Sequence, residues 1–441
     1  MKRYLLQTLP LLLLLSCQET SEHKPVLADI KARQPVIIVN KNRHLKIPEF
    51  WIDQLKDPQK VIMDAKAIQS LNSYTAHTQH QLNLFEEIGD YYNGLWIKES
   101  IQKAQISLSK TAHYFEDSNP IKSDFFEEIK GYCNLDKLQN QPIKTRYALT
   151  VNYTNQRIIP TELALLKKRD QIHFDRNQNS ALDIATPIAI LHTTSDGLWH
   201  YGIAPTSSGW IKDSDIAFGD KKSIEGYLKS ENFIVTTEPK TALMVAGSYH
   251  DYLRMGVRLP VIMTIDEMSM VLIPKRDKDG SLILANGTLK TANTHKGYLP
   301  YTAQNILLQA FKFLNAPYGW GGMYGEQDCS KFIQEVYATT GIKLPRNSLS
   351  QSEVGEEKIE LKEMSREQKR AILSKLEVGK TILHLPGHIV LYIGEYKGEP
   401  YIIHTVWGSS RRHFALGRTA VTALSFNDYI QQLDRATTIQ K

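Results

Sequence analysis

Cysteine is almost missing from this chain, with three in 441 residues. That excludes a disulfide framework and leaves the core to be held by packing. A strong excess of one charge is missing as well: 53 Lys and Arg stand against 47 Asp and Glu, a net +6. Spread over this length, such a surplus is too small and too scattered for a dedicated nucleic-acid binder. There is no Gly-rich phosphate loop of the Walker type and no dinucleotide fingerprint, and nothing calls for a cofactor. Gly (25) and Pro (18) are too few for a collagen-like or Pro-rich stalk. What remains is ordinary globular usage, 42% hydrophobic and 23% charged, in a chain long enough for several domains.

The first residues stand apart from the fold. Lys2 and Arg3 precede an apolar run, Leu5 to Leu15, interrupted by Gln7, Thr8 and Pro10. The run is too short to cross a bilayer, which takes about 20 residues, and it closes in Leu14-Leu15-Ser16-Cys17 before a polar stretch. Such a segment reads as a secretory signal, and its ending resembles the lipobox of bacterial lipoproteins. The resemblance implies cleavage before Cys17, which then carries a diacylglyceryl group and an amide-linked chain, the two anchors that stable attachment needs. With Gln18 rather than Asp next, the expected address is the periplasmic face of an outer membrane, with the lipid as the sole membrane contact.

Patterning divides the rest. Residues 1–17 are the signal with its lipobox, and residues 18–48, polar and punctuated by Pro25, Pro35 and Pro48, read as a tether. Residues 49–144 carry helical periodicity, as in Ile97, Ile101, Ala104 and Leu108. Over 145–222 the period shortens to strands: Tyr147, Leu149 and Val151 alternate, and the order Pro187-Ile188-Ala189-Ile190-Leu191, Asp196-Gly197-Leu198-Trp199-His200-Tyr201, Gly209-Trp210-Ile211 resembles bacterial SH3 domains. Residues 223–301 repeat the theme more loosely, which predicts a second barrel. The remainder, 302–441, mixes helix and strand. The expected architecture is a multidomain α+β chain: a helical N-terminal segment, two small SH3-like β-barrels and a C-terminal α+β domain.

Reactive side chains concentrate in that last domain. Pro317-Tyr318-Gly319-Trp320-Gly321-Gly322-Met323-Tyr324-Gly325 is a glycine-dense loop suited to close backbone approach. It runs into Glu326-Gln327-Asp328-Cys329-Ser330, where Phe332 and Ile333 pair at i+4 with Val336 and Tyr337, so a helix begins near Cys329. A sulfur in the first turn faces unpaired N–H groups and the helix dipole, which favour thiolate and lower its pKa. A thiol nucleophile also needs a base. His388 opens the strand Gly387-His388-Ile389-Val390-Leu391-Tyr392-Ile393-Gly394, and His404 lies in the next, Tyr401-Ile402-Ile403-His404-Thr405, across Lys397-Gly398. If these strands are antiparallel neighbours, the two rings share a face only when partners sum to an even number near 794, setting His404 opposite Val390. His388 would then take the thiol proton and His404 would orient it.

Other candidates weigh less. His384 reads as a strand residue, and His77, His80 and His113 show no metal-ligand spacing. Cys133 reads as a buried filler.

The motifs Trp320-Gly321-Gly322, Asp328-Cys329-Ser330, Pro345-Arg346-Asn347-Ser348 with Gln351, Gly387-His388-Ile389-Val390-Leu391-Tyr392-Ile393-Gly394 and Ile403-His404 together resemble the NlpC/p60 cysteine peptidases of bacterial cell walls, papain-like enzymes, over about 303–430. The resemblance implies Cys329 as nucleophile, His388 as base and later acid, and His404 as the orienting third residue. It implies that Asp328 and Ser330 bind the N-terminal end of a stem peptide, that Tyr318 helps stabilise the oxyanion, and that Ser348 lines the same pocket; Asn347 departs from an Asp often found there. The implied activity is cleavage of the γ-D-glutamyl–diamino-acid bond of peptidoglycan stem peptides or muropeptides. A buried Asp328 suits an ammonium group, so peptides with a free L-Ala amine are the expected substrates. A peptidoglycan-binding lipoprotein with a relic domain, or an amidase on another wall substrate, are the alternatives.

Overall fold

The computed structural model describes residues 42–78, 88–409 and 414–440. Cys17, the signal and nearly all of the proposed tether lie outside the described residues, as does His80. Residues 43–441 cluster as one unit, with mixed helix and sheet throughout.

The stretch expected as one helical domain is divided between two cores. The short helix Pro48–Ile52 and the helix Ala65–Thr78 give Trp51 and Leu71 to a cluster shared with Ile306, Phe332 and Ile389 of the C-terminal domain. Trp51 donates its indole N–H to the Leu45 carbonyl at 3.0 Å, which seats the ring while its apolar body is buried. The helices Gly94–Ser109 and Ser123–Tyr132 flank the first β region instead: Ile97 and Ile101 join Leu149 and Trp210 in another cluster. Helix period alone marks an apolar stripe; it does not say which neighbour covers it.

Two seven-stranded sheets follow, built from strands within 146–219 and 233–296. Both are SH3-like regions, yet among the described residues no strand pairing closes either into a barrel. The two open edges of the first sheet lie against neighbouring segments, which protects them without closure. At one edge Phe218 donates its N–H to the Gly280 carbonyl of the second sheet at 2.9 Å. At the other edge, Gln178–Leu182 lies against the glycine loop of the C-terminal domain.

That domain centres on a six-stranded antiparallel sheet. Helix Cys329–Ala338 lies on one face, where Phe332, Ile333 and Val336 pack with Ile389, Leu391 and Ile403. Val390, Tyr392 and Ile402 point to the opposite face, with Tyr429 and Leu433, as strict alternation along a strand requires. The strands His388–Tyr396 and Glu399–Ser409 are joined by Lys397 (φ 53°) and Gly398 (φ 72°), the double left-handed turn that suits strand twist.

Candidate active site

The cleft is assembled from the glycine loop, the start of one helix and two strands. Gly321 and Gly322 have φ of 62° and 86°, and a Cβ on either would come within 2.6 Å of Gln178 or 2.8 Å of Ala181. Only glycine lets the loop press this closely on the first SH3-like sheet. Gln178 donates to the Gly321 carbonyl at 3.2 Å, and the Tyr153 hydroxyl to that of Gly322. Phe174 of the same region packs edge-on to Trp320 and Trp407, centroids 5.3 Å from each. The first SH3-like region therefore forms a wall of the cleft.

Asp328 caps helix Cys329–Ala338, accepting from the Lys331 N–H at 2.9 Å. This leaves Cys329 as the first helical residue. Cys329 is half-buried, and the backbone N–H groups of Ile389 and Ser330 are near enough to favour its thiolate. Ile389 adjoins His388, so these contacts fix the thiol beside the first residue of the strand.

Partners Leu391–Ile403 and Tyr392–Ile402 show the even register that two rings on one face demand. The His388 Nε2 and His404 Nδ1 lie 2.8 Å apart. His404 is fully buried, and its Nε2 lies 3.0 Å from the Thr422 hydroxyl. Tyr429 covers both rings, at centroid distances of 5.9 and 5.7 Å. The His388 Nδ1 is the nitrogen left for the thiol.

The electrostatics depart from the helix-start argument. Burial pushes the Cys329 thiol up to about 12, with the Asp328 carboxylate adding to the rise; the nearby N–H groups of Ile389 and Ser330 and the Arg346 charge oppose it without prevailing. Desolvation outweighs a dipole that acts only over the first turn. Burial likewise brings His388 down to about 4, helped by neighbouring His384, and holds His404 well below the usual imidazole range, helped by His388. Thiol and imidazole both rest neutral.

Asp328 is heavily engaged within the protein. Its carboxylate is the acceptor for five donors: the Lys331 N–H at 2.9 Å, the Gly321 N–H at 3.0 Å, the Ser330 hydroxyl at 3.1 Å, and Arg346 through Nη1 at 3.1 Å and Nη2 at 2.7 Å. The group that sequence reasoning reserves for a substrate ammonium is already paired. Arg346 stands in the Pro345-Arg346-Asn347-Ser348 motif, but nothing in spacing says which carboxylate it will meet. Thr422 and Tyr429 are equally silent in sequence.

The other expected residues take definite places. Ser330 is buried and receives Arg346 Nη1 at 2.8 Å. Burial raises the phenol pKa of Tyr318, whose hydroxyl is in electrostatic reach of Asp328 and Cys329. Ser348 opens the short helix Ser348–Gln351, which Asn347 caps by accepting the Ser350 N–H at 2.8 Å; Asn and Asp serve equally there. Gln351 donates to the Ser330 and Pro345 carbonyls, both at 2.8 Å, tying this helix to the first turn of helix Cys329–Ala338. His384 is a buried strand residue 2.7 Å from Asp434. His77 and His113 are exposed, and Cys133 is fully buried.

A helix-start thiol beside two imidazoles in series, on adjacent strands, is the constellation of a cysteine peptidase. Residues 315–413 match the NlpC/P60 family, and residues 165–212 match an SH3 domain of the SH3b1 type. The chain thus carries an NlpC/P60 domain, of a cysteine-peptidase family, together with an SH3b domain. It is 27% identical over 192 residues to a γ-D-glutamyl-L-lysine dipeptidyl-peptidase of Bacillus cereus, covering 42% of this chain and 54% of that protein. It is 32% identical over 94 residues to the Bacillus subtilis protein of the same name, covering 21% and 30%. The match therefore spans about half or less of either relative. The fold is shared with an NlpC/P60 endopeptidase from Photobacterium damselae subsp. piscicida: TM-score 0.73, 22% identity, 89% of this chain and 96% of that one.

Proposed function

We propose that this protein is a cell-wall endopeptidase that hydrolyses the γ-D-glutamyl–diamino-acid bond of peptidoglycan stem peptides through a thioester. The observation that carries the reading is the 2.8 Å contact of His388 with His404 beside a helix-start cysteine. The names of the two Bacillus relatives supply the bond class. Because both groups rest neutral, proton transfer accompanies attack. The Cys329 proton passes to His388 Nδ1 as sulfur bonds to the γ-carbonyl carbon. The Cys329 backbone N–H, at the helix start, and the Tyr318 hydroxyl are the donors for the oxyanion. Collapse breaks the C–N bond, and His388 returns the proton to the departing amine of the diamino acid. The same imidazole then deprotonates water, which hydrolyses the thioester and restores the thiol. For Nδ1 to begin as acceptor, His388 Nε2–H must donate to His404 Nδ1, and His404 Nε2–H to Thr422.

The purified protein incubated with stem peptides ending in γ-D-Glu-meso-diaminopimelate or γ-D-Glu-L-Lys, read by mass, tests this. Cleavage between the two residues, abolished in Cys329→Ala with the circular-dichroism spectrum unchanged, is expected; undiminished turnover in that variant removes the reading. The proposed place of work is the periplasmic face of an outer membrane, with attachment through lipid on Cys17. Cys17→Ser is expected to move the protein from the membrane to the soluble fraction, and unchanged membrane retention counts against the anchor.

A further inference from the structure

We infer that the groove between helices Gly94–Ser109 and Ser123–Tyr132 is a second binding site, sharing no residue with the cleft, for the carboxy-terminal end of a short apolar peptide. The site stands on its own geometry and does not depend on the endopeptidase reading.

The groove encloses about 490 Å³, within the range of small-ligand sites. Its floor is apolar: Ile159 is fully buried, with Phe126 beside it, while Ile106 at the rim is 51% exposed. Gln105 breaks this pattern. It continues the buried stripe of Ile97, Ile101 and Leu108 along its helix and is itself only 4% exposed, a place where helix periodicity calls for an apolar side chain. Its Nε2 donates to the Cys133 sulfur at 3.2 Å, and Cys133 is fully buried. The planar amide therefore points its carbonyl oxygen away from Cys133. That oxygen is buried with no hydrogen-bond partner among the described residues, a costly state that a donor brought into the groove relieves.

The rest of the lining favours an anion. Helix Ser123–Tyr132 starts without a side-chain cap, and Lys122 and Ser123 at that start both line the groove. Its first N–H groups and the positive end of its dipole are available to a carboxylate. Lys130 is paired with Glu127 at 2.5 Å, and Asp124 accepts the Phe125 N–H at 3.1 Å. Among the described residues no carboxylate pairs with Lys122.

A donor for Gln105, an apolar group over Phe126 and Ile159, and an anion at Lys122 together describe the last residues of a peptide. The amide N–H, the small side chain and the terminal carboxylate supply the three in turn. A fatty acid brings the anion and the apolar part but no donor for Gln105. Such a site would hold the protein to a peptide other than the one in the cleft.

The test is a ligand-detected NMR titration of the whole chain carrying Cys329→Ala, which prevents turnover. The probes are N-acetyl-L-Ala-L-Ala, its D,D counterpart and the carboxamide of each. Saturable binding of a free carboxylate is expected; preference for the D,D form points to wall peptides, and for the L,L form to protein termini. The carboxamide should bind about tenfold more weakly, as should the free acid to Gln105→Met or to Lys122→Gln, the loss that one such hydrogen bond or charge contact supplies. Gln105→Met keeps the length of the side chain and removes the unpartnered oxygen, so the free protein's melting temperature should hold or rise. A fall would show that the oxygen is already served, and would count against the site. No saturable binding of either dipeptide, equal binding of the carboxamide, or unchanged affinity in both variants overturns the inference and leaves the peptidase reading untouched. Should Gln105→Met not fold, Lys122→Gln and the carboxamide decide.

Discussion

The His388 ring must lose its proton before it can take one from sulfur, and burial has already removed it. With its pKa brought down to about 4, the base is neutral across the range where a free imidazole would be half charged, near 6.5. Activity is therefore expected to hold as pH falls from 7 to 5 and to drop only toward about 4; a kcat/KM profile with its acid limb at 6 to 7 refutes this. Stability runs the other way. Since the unfolded chain protonates its histidines first, the melting temperature should decline from about pH 6.5 downward, through the window opened by the depressed values of His388 and His404. Thr422 sits one step further along the same series. Thr422→Val keeps the shape but strips the acceptor from His404 Nε2, which frees the ring to take the wrong tautomer. A fall in kcat of about tenfold with KM unchanged is expected, recovered in Thr422→Ser; a Val variant of full activity would show that the hydroxyl positions nothing.

At the scale of elements, the loop and the helix it feeds are one device. The loop's positive-φ glycines bring Trp320 and Tyr318 against the SH3-like wall, and Asp328 then turns the chain into the helix that presents sulfur. Gly322→Ala places a Cβ 2.8 Å from Ala181 at a φ of 86°. A loss of about 1–3 kcal/mol follows from strain of this kind, together with reduced kcat/KM. Thermal melts alongside kinetics check it; an unchanged melting temperature would mean the wall yields easily.

For the whole molecule, the peptidase core is completed from far upstream. Leu45, Trp51, Met63 and Leu71 pack into the cluster that holds helix Cys329–Ala338, and the Asn72 side chain donates to the Gly341 carbonyl at 2.9 Å while receiving the Lys343 N–H at 2.8 Å. Trp51 is 1% exposed, so Trp51→Ala should cost about 3–5 kcal/mol and lower the transition that carries activity. Loss of less than 1 kcal/mol in denaturant titrations would show that these helices merely rest on the surface.

Residue types and spacing alone indicated a helix start at Cys329, the meeting of His388 and His404, the strand register and the SH3-like character of the first β region. Each depends on order along the chain: the i+4 pairing of Phe332 and Ile333 after Cys329, a turn at Lys397-Gly398, alternation on either side of it. Packing between distant segments decided the rest. Neither the division of the N-terminal helices between two cores nor the neutral resting state of the thiol is visible in sequence. Arg346 makes the same point: it meets Asp328, eighteen residues away, and at the same time Ser180 of the first SH3-like sheet. Local geometry is carried by short-range backbone preferences, whereas charge pairing and desolvation depend on which surfaces finally exclude water from one another.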